Sequence, residues 1–254
     1  QPHDLGNADD HSRLPWCFRQ SCLMLQETLD YLAGLPKDRL AQVVKETLKE
    51  TRSLKFVPNQ GRQTEAYRSA ADVVLFGGEP AGGKTGLLIG LALNEHENSL
   101  IMRRQYTDLD SIIQESIKFN GTRDGFNGSS PPTLRHANGI LKFGACSSPG
   151  DEDNWVGRPR DFLGLDEACQ FTRRQVRMLM GWLRTTNKKQ RVRAVFATNP
   201  PLNADGLWVF EMFAPWLDPQ HHNPAKPGEL RWFVTDENDK DIEVSGPGEH
   251  EVGG

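Results

Sequence analysis

Gly78, Glu79, Pro80, Ala81, Gly82, Gly83, Lys84 and Thr85 form the spacing GxxxxGK followed by a hydroxyl residue. The segment directly follows the apolar run DVVLFG and precedes GLLIGLALNEH, so a strand feeds the loop and the loop feeds a helix. In that setting the glycines let backbone N–H groups close around phosphate oxygens, and the helix N-terminus adds partial positive charge. Lys84 is expected to reach the β and γ phosphates of ATP, and the Thr85 hydroxyl to ligate Mg2+.

A second acidic pair complements this loop. Asp161 to Glu167 reads DFLGLDE, an apolar strand ending in adjacent carboxylates. At a strand's C-terminal end Asp166 can hold Mg2+ while Glu167 orients and deprotonates a water. An acid beyond the magnesium-binding Asp points to hydrolysis, because a simple nucleotide holder needs no positioned base.

Other polar residues point to the same chemistry. RAVFATNPP is a buried strand ending in Thr198 and Asn199, which can sense the γ-phosphate; a turn begun by Asn-Pro is the competing reading. Gln63 in FVPNQGRQTEAY can read adenine with its amide, or it is a surface residue. Arg158 and Arg160 can supply an arginine finger, with surface salt bridging as the alternative.

The elements that must position these residues follow the rhythm of a parallel sheet. DVVLFGG, SLIMRR, DFLGLDEA and RAVFATNPP are short apolar runs ending in turn or polar residues, with helical stretches between them. The fold class is therefore α/β, a P-loop domain with a mostly parallel sheet flanked by helices. Leu23 to Arg52 carries helical spacing through Leu25, Leu29, Leu32, Leu40, Val43, Val44 and Leu48, broken at Gly34 and Pro36, and predicts a helical hairpin. Residues 1–15 are expected to be disordered. A Gly/Pro/Asn-rich excursion spans Asn120 to Arg160, with ILKFGA as a hairpin strand. The expected domains are a helical extension over 1–55, an ATPase core over 56–204 and a small lid or linker region over 205–254.

With 254 residues and 37% hydrophobic content the chain can bury a sizeable core. No apolar run has the length of a membrane span, and the acidic N-terminus lacks a signal-peptide pattern, so a cytoplasmic location is expected. Cys17, Cys22, Cys146 and Cys169 lack paired zinc spacing and are expected to be reduced. A net charge of −4 excludes coating nucleic acid by bulk electrostatics, so local patches must carry any DNA contact. Arg173, Arg174, Arg177, Arg184, Lys188, Lys189, Arg191 and Arg193 stand in a stretch free of acids; it reads as a DNA-contacting patch or a solvated face.

The ordered set FVPNQGRQ, VLFGGEPAGGKT, IMRRQYTDL, GRPRDFLGLDEA, FTRRQVRMLMGWLR, AVFATNPP, FAPWLD and PAKPGELRWF resembles the large terminase subunit of tailed bacteriophages, from about Phe56 to Phe233. The resemblance implies an ASCE-type ATPase that assembles as a ring at a procapsid portal, works with a small terminase subunit and pumps double-stranded DNA in the host cytoplasm. By motif, Gln63 matches the adenine-reading Gln, Lys84 and Thr85 the P-loop pair, Asp166 and Glu167 the magnesium and catalytic acids, and Asn199 the motif coupling hydrolysis to motion. Many relatives carry a basic residue early in the P-loop; here Glu79, Pro80 and Ala81 stand there instead, which shifts weight to Arg158. Large terminases usually continue into a nuclease; this chain is expected to stop before it, and the Asp236 to Asp241 cluster receives no nuclease role. The competing functions are a helicase-like nucleic-acid ATPase, against which FAPWLD and GELRWF argue, and a nucleotide-gated docking module, against which Glu167 argues.

Overall fold

The computed structural model describes residues 27–51, 54–78, 82–200, 204–237 and 240–248. The N-terminal tail with Cys17 and Cys22, and the loop positions Glu79, Pro80 and Ala81, lie outside these residues. They divide into two compact units, the first running to Leu54 and including Asn59–Gly61, the second holding Lys55–Pro58 and Arg62 onward.

In the first unit, residues 27–33 are helical and α1 covers Lys37–Thr51. The break falls at Gly34 to Pro36, as the sequence predicts. Pro36 lacks an N–H but still offers its carbonyl, which accepts from Leu40 N at 2.9 Å and starts α1. Leu29, Tyr31 and Val44 stay exposed.

The second unit is a seven-stranded sheet with helices on both faces. Its elements begin with α2 (Arg62–Arg68), β1 (Val73–Gly77), α3 (Lys84–Asn94), β2 (Asn98–Arg103) and α4 (Leu109–Asn120). The excursion folds as β3 (Phe126–Asn127), β4 (Thr133–His136) and β5 (Gly139–Ala145), and β6 (Phe162–Asp166), α5 (Arg173–Met180) and β7 (Arg193–Thr198) follow. The order is β1-β7-β6-β2-β5-β4-β3, with parallel pairing from β1 through β5 and antiparallel pairing at the β4 and β3 edge. ILKFGA lies in β5, one arm of a hairpin with β4, while its other edge pairs with β2. β7 stands between β1 and β6, so the acid-bearing strand is one strand removed from the loop strand.

Strands covered on both faces are apolar through their middles, and the residues of β6 and β7 are all buried, the polar Asp166, Arg193 and Thr198 standing at their ends. Alternate side chains serve two cores. Ile101, Phe162, Val195 and Ala197 meet Leu87, Leu88 and Leu91 of α3 and Ile112 of α4 on one face. Leu100, Met102, Leu163, Leu165 and Phe196 meet Trp155, Phe171, Val176 and Leu179 on the other. Each such leucine or phenylalanine contributes about 1.5–3 kcal/mol by leaving water. Gly90 of α3 is held to glycine by contact, since a Cβ there would lie 2.0 Å from Cδ1 of Phe56.

Beyond β7, α6 (Trp208–Met212) and α7 (Ala214–Leu217) bring Trp208, Val209 and Phe213 into the second core, and Trp208 Nε1 donates to Phe171 O at 2.8 Å. The strands β8 (Trp232–Thr235) and β9 (Asp241–Val244) form a separate antiparallel pair. Among the described residues no helix is long and apolar enough to cross a membrane.

Candidate active site

Parallel pairing brings the C-terminal ends of β1, β7, β6 and β2 to one edge of the sheet, where Gly77 is level with Thr198 and Asp166 with Ala197. That edge is where ligands bind in open parallel sheets. The loop after β1 enters α3 through Gly83, whose φ of 68° and ψ of 24° are left-handed and cost a glycine little. The Gly83 carbonyl accepts from Leu87 N at 3.0 Å and from Gln63 Nε2 at 2.8 Å. Gln63 is buried, so α2 supports the loop at its exit. Lys84 folds back across the loop, its Nζ donating to Gly78 O at 3.0 Å.

The next residue crosses to the acids. Thr85 Oγ1 donates to Asp166 Oδ2 at 3.0 Å. Two oxygen ligands at adjacent corners of a magnesium octahedron lie about 2.9 Å apart, given bonds of about 2.0–2.1 Å, so this hard-oxygen pair fits the ion.

Glu167 follows with φ of 56° and ψ of 48°, the only non-glycine described residue with positive φ. A left-handed non-glycine costs on the order of 1–3 kcal/mol and persists where the surroundings hold it. Here the holders are a hydrogen bond from Gln170 Nε2 to Glu167 Oε2 and a 3-10 turn over Ala168–Gln170. Thr198 Oγ1 accepts from Cys169 N at 3.2 Å and donates to Asn199 O at 2.8 Å, tying that turn to the end of β7. Asn199 Oδ1 is buried and has no hydrogen-bond partner among the described residues. A buried acceptor left open at the strand ends fits a polar ligand there.

Two residues outside the sequence reading join the site. Arg103, at the end of β2, places Nε 2.9 Å and Nη2 2.6 Å from Asp166 Oδ2, and Nη1 3.7 Å from Glu167 Oε1. Burial works against its charge, but Asp166 and then Glu167 more than restore it, and its pKa lies above the ordinary value. Glu115 on α4 is half-buried; burial first, and the charge of Asp166 next, push its carboxyl up. The usable signal for Arg103 is its place at the C-terminal end of an apolar run.

Arg158 and Arg160 do not join this cluster. Arg158 is exposed, its guanidinium 5.5 Å from the centre of the Trp155 ring. Arg160 is buried and donates from Nη2 to Trp155 O at 2.9 Å and to Arg158 O at 3.0 Å. Burial, aided by the Arg158 charge, lowers its pKa to about 10. The position the sequence left open between these two is thus unequal, since only Arg158 has its head group outside the fold.

The acid-free basic stretch is acid-free only in sequence. Arg173 pairs with Glu211 at 2.9 Å, Arg174 with the buried Glu152 at 3.1 Å, and Arg177 with Asp241 of β9. Arg191 and Arg193 donate to backbone carbonyls of Ser69, Ala71, Tyr67 and Ala66. Arg184 lies over Trp182.

No family model and no curated protein matches the chain. Solved structures it is similar to include large terminases of phages. One is the large terminase of a thermophilic bacteriophage, at 14% identity and TM-score 0.43, with 57% of this chain and 40% of that chain covered. The ATPase domain of the Thermus phage P74-26 large terminase, in a mutant form, follows at 17% identity and TM-score 0.47, covering 71% and 82%. The HK97 bacteriophage large terminase is similar at 11% identity and TM-score 0.44, covering 62% and 37%. The match spans about two fifths of the first and third of these proteins.

Proposed function

We propose that this chain is the ATPase motor domain of a viral DNA-packaging terminase, which hydrolyses Mg-ATP to drive double-stranded DNA into a procapsid. The carrying observation is the meeting of Thr85 with Asp166 beside a left-handed Glu167, in a sheet whose strand order sets β7 between β1 and β6. The packaging assignment rests on the ordered motifs from Phe56 to Phe233. Thr85 and Asp166 would hold the magnesium ion, which when bound neutralises phosphate charge.

In this reading Lys84 swings from Gly78 O to the β and γ phosphates. Glu167 Oε1 takes a proton from a water whose oxygen bonds to the γ-phosphorus, while the bond from that phosphorus to the β,γ-bridging oxygen breaks and ADP leaves. Positioning and charge compensation supply the rate, with no covalent enzyme intermediate. In this reading Asn199 senses the γ-phosphate by donating from its side-chain Nδ2, and Gln63 sets the loop and reads adenine. Arg158 serves the neighbouring subunit of a ring on the portal, where the small terminase subunit delivers DNA.

The test is the steady-state ATPase rate of the chain alone, with portal or procapsid, and with double-stranded DNA. Stimulation by portal and DNA together is expected. A rate indifferent to both, or strand separation by the chain, would remove the packaging assignment.

A further inference from the structure

Asp166 Oδ2 is the most crowded oxygen of the site. It accepts from Thr85 Oγ1 at 3.0 Å, Arg103 Nε at 2.9 Å and Arg103 Nη2 at 2.6 Å, in a residue only 3% exposed. A carboxylate oxygen has about two lone-pair sites, so three donors saturate it. The same oxygen, with Thr85 Oγ1 beside it, is the pair that fits a divalent cation. A dication bonded there and a guanidinium fork at hydrogen-bond distance would be like charges competing for one acceptor.

The surroundings show why a cation is needed. Asp166 and Glu167 are adjacent carboxylates, the Asp166 charge also reaches Glu115, and Arg103 is the cation paired with Asp166 and Glu167. The loop adds no arginine, because positions 79 to 81 are Glu, Pro and Ala. We infer that Arg103 and the divalent cation alternate on Asp166 Oδ2. When Arg103 is bound, the acid pair is charge-compensated and pinned; when the cation takes the oxygen, the guanidinium leaves both Asp166 and Glu167. Arg103 is then a positioning residue that couples metal arrival to release of Glu167. This inference rests on the proposed magnesium site.

Two measurements on the full chain test it. The first is Mn2+ affinity by electron paramagnetic resonance in the presence of a non-hydrolysable ATP analogue. Removing a competing charge in Arg103→Gln should tighten Mn2+ binding by about tenfold or more, whereas Arg103→Lys, which keeps charge but loses the fork, should fall between. Unchanged or weaker Mn2+ binding in a folded Arg103→Gln chain overturns the inference.

The second is read on the wild-type protein: the side-chain Nε–H resonance of Arg103, assigned by its loss in Arg103→Lys, is followed as Mg2+ and the analogue are added. It should shift and exchange faster with solvent as the Asp166 bond is given up. Saturated metal binding with this resonance unmoved overturns the alternation and leaves the proposed function standing. A chain that takes up neither metal nor nucleotide overturns both.

Discussion

Thr85 Oγ1 and Asp166 Oδ2 lie 3.0 Å apart, although 81 positions separate them in sequence and β7 stands between β1, which leads to Thr85, and β6, which ends at Asp166. Asp166 and Glu167 differ in what the fold does to them. The first is clamped by Thr85 and Arg103, while the second is set in a strained backbone with its carboxylate a third exposed. A clamped acid suits a fixed metal ligand, and an accessible one suits a base that must meet water.

Glu167→Gln should therefore lower turnover by at least about 10²-fold and leave nucleotide affinity within a few fold, because the amide keeps the shape but not the basicity. Turnover and nucleotide binding are to be measured on the same preparation. Near-normal turnover would take the base role away from Glu167.

Lys84→Ala acts on binding itself. The Nζ of Lys84 rests on the carbonyl of Gly78, at hydrogen-bond distance from the loop it is proposed to serve. Loss of a charge-assisted phosphate contact should weaken nucleotide affinity by roughly 10- to 100-fold, read by calorimetric titration. An unchanged affinity would count against phosphate binding at Gly78 to Thr85.

Much of this was legible in the sequence because it is local. A strand buried on both faces reads as a bare apolar run, and β1, β2, β6 and β7 did. Lys84 and Thr85 sit in one eight-residue spacing, and Asp166 and Glu167 end one strand. Arg103 was hidden because its partner is 63 positions away, and an arginine pair after a strand looks like a solvated end. The stretch from Arg173 to Arg193 misled for the same reason. Glu152, Glu211 and Asp241, which neutralise three of its arginines, come from three distant segments. Arg160 is held by distant backbone, its N–H donating to Trp182 O and its carbonyl accepting from Arg184 N, which no local spacing reports.

Those ion pairs change what the basic stretch is expected to do. Arg177 holds Asp241 of β9, and Arg173 lies 3.9 Å from the same carboxylate. Arg177→Ala should loosen the β8–β9 pair, seen as faster proteolysis between Trp232 and Val244, and leave the salt slope of DNA binding unchanged. If instead that slope falls by about 0.9 in the logarithmic plot, the side chain contacts a DNA phosphate.

Acid should act through Glu152. Its carboxyl is buried, which alone would raise its pKa, but the N–H groups of Glu152 and Gly150 and the Arg174 guanidinium outweigh burial and hold it below the usual value. A carboxyl lowered on folding contributes stability that is present above its unfolded pKa of about 4.3 and lost as pH falls through the folded value. Denaturant titrations of wild type and Glu152→Gln should differ most near neutrality and begin to converge as pH falls below the unfolded value of about 4.3. A difference that stays constant down to pH 3 would show that Glu152 does not carry this acid sensitivity.

Arg158 and Arg160 should separate cleanly. Arg160→Ala leaves the carbonyls of Trp155 and Arg158 without their donor in a buried setting, so it should cost about 1–3 kcal/mol of stability. Arg158→Ala removes an exposed head group over Trp155 and should leave stability and nucleotide binding intact. If Arg158 completes the site of an adjacent subunit, the assembled motor should nonetheless lose about 10³- to 10⁵-fold in rate, the range of an arginine finger. Mixing decides between cis and trans action. Subunits carrying Arg158→Ala and subunits carrying Glu167→Gln, each inactive alone, are combined under conditions where rings form. At some boundaries an intact Glu167 then faces an intact Arg158, and activity should return with a maximum at intermediate mixing ratios. Mixed rings that stay silent at every ratio would reject the trans role and leave Arg158 as a surface residue stacked on Trp155.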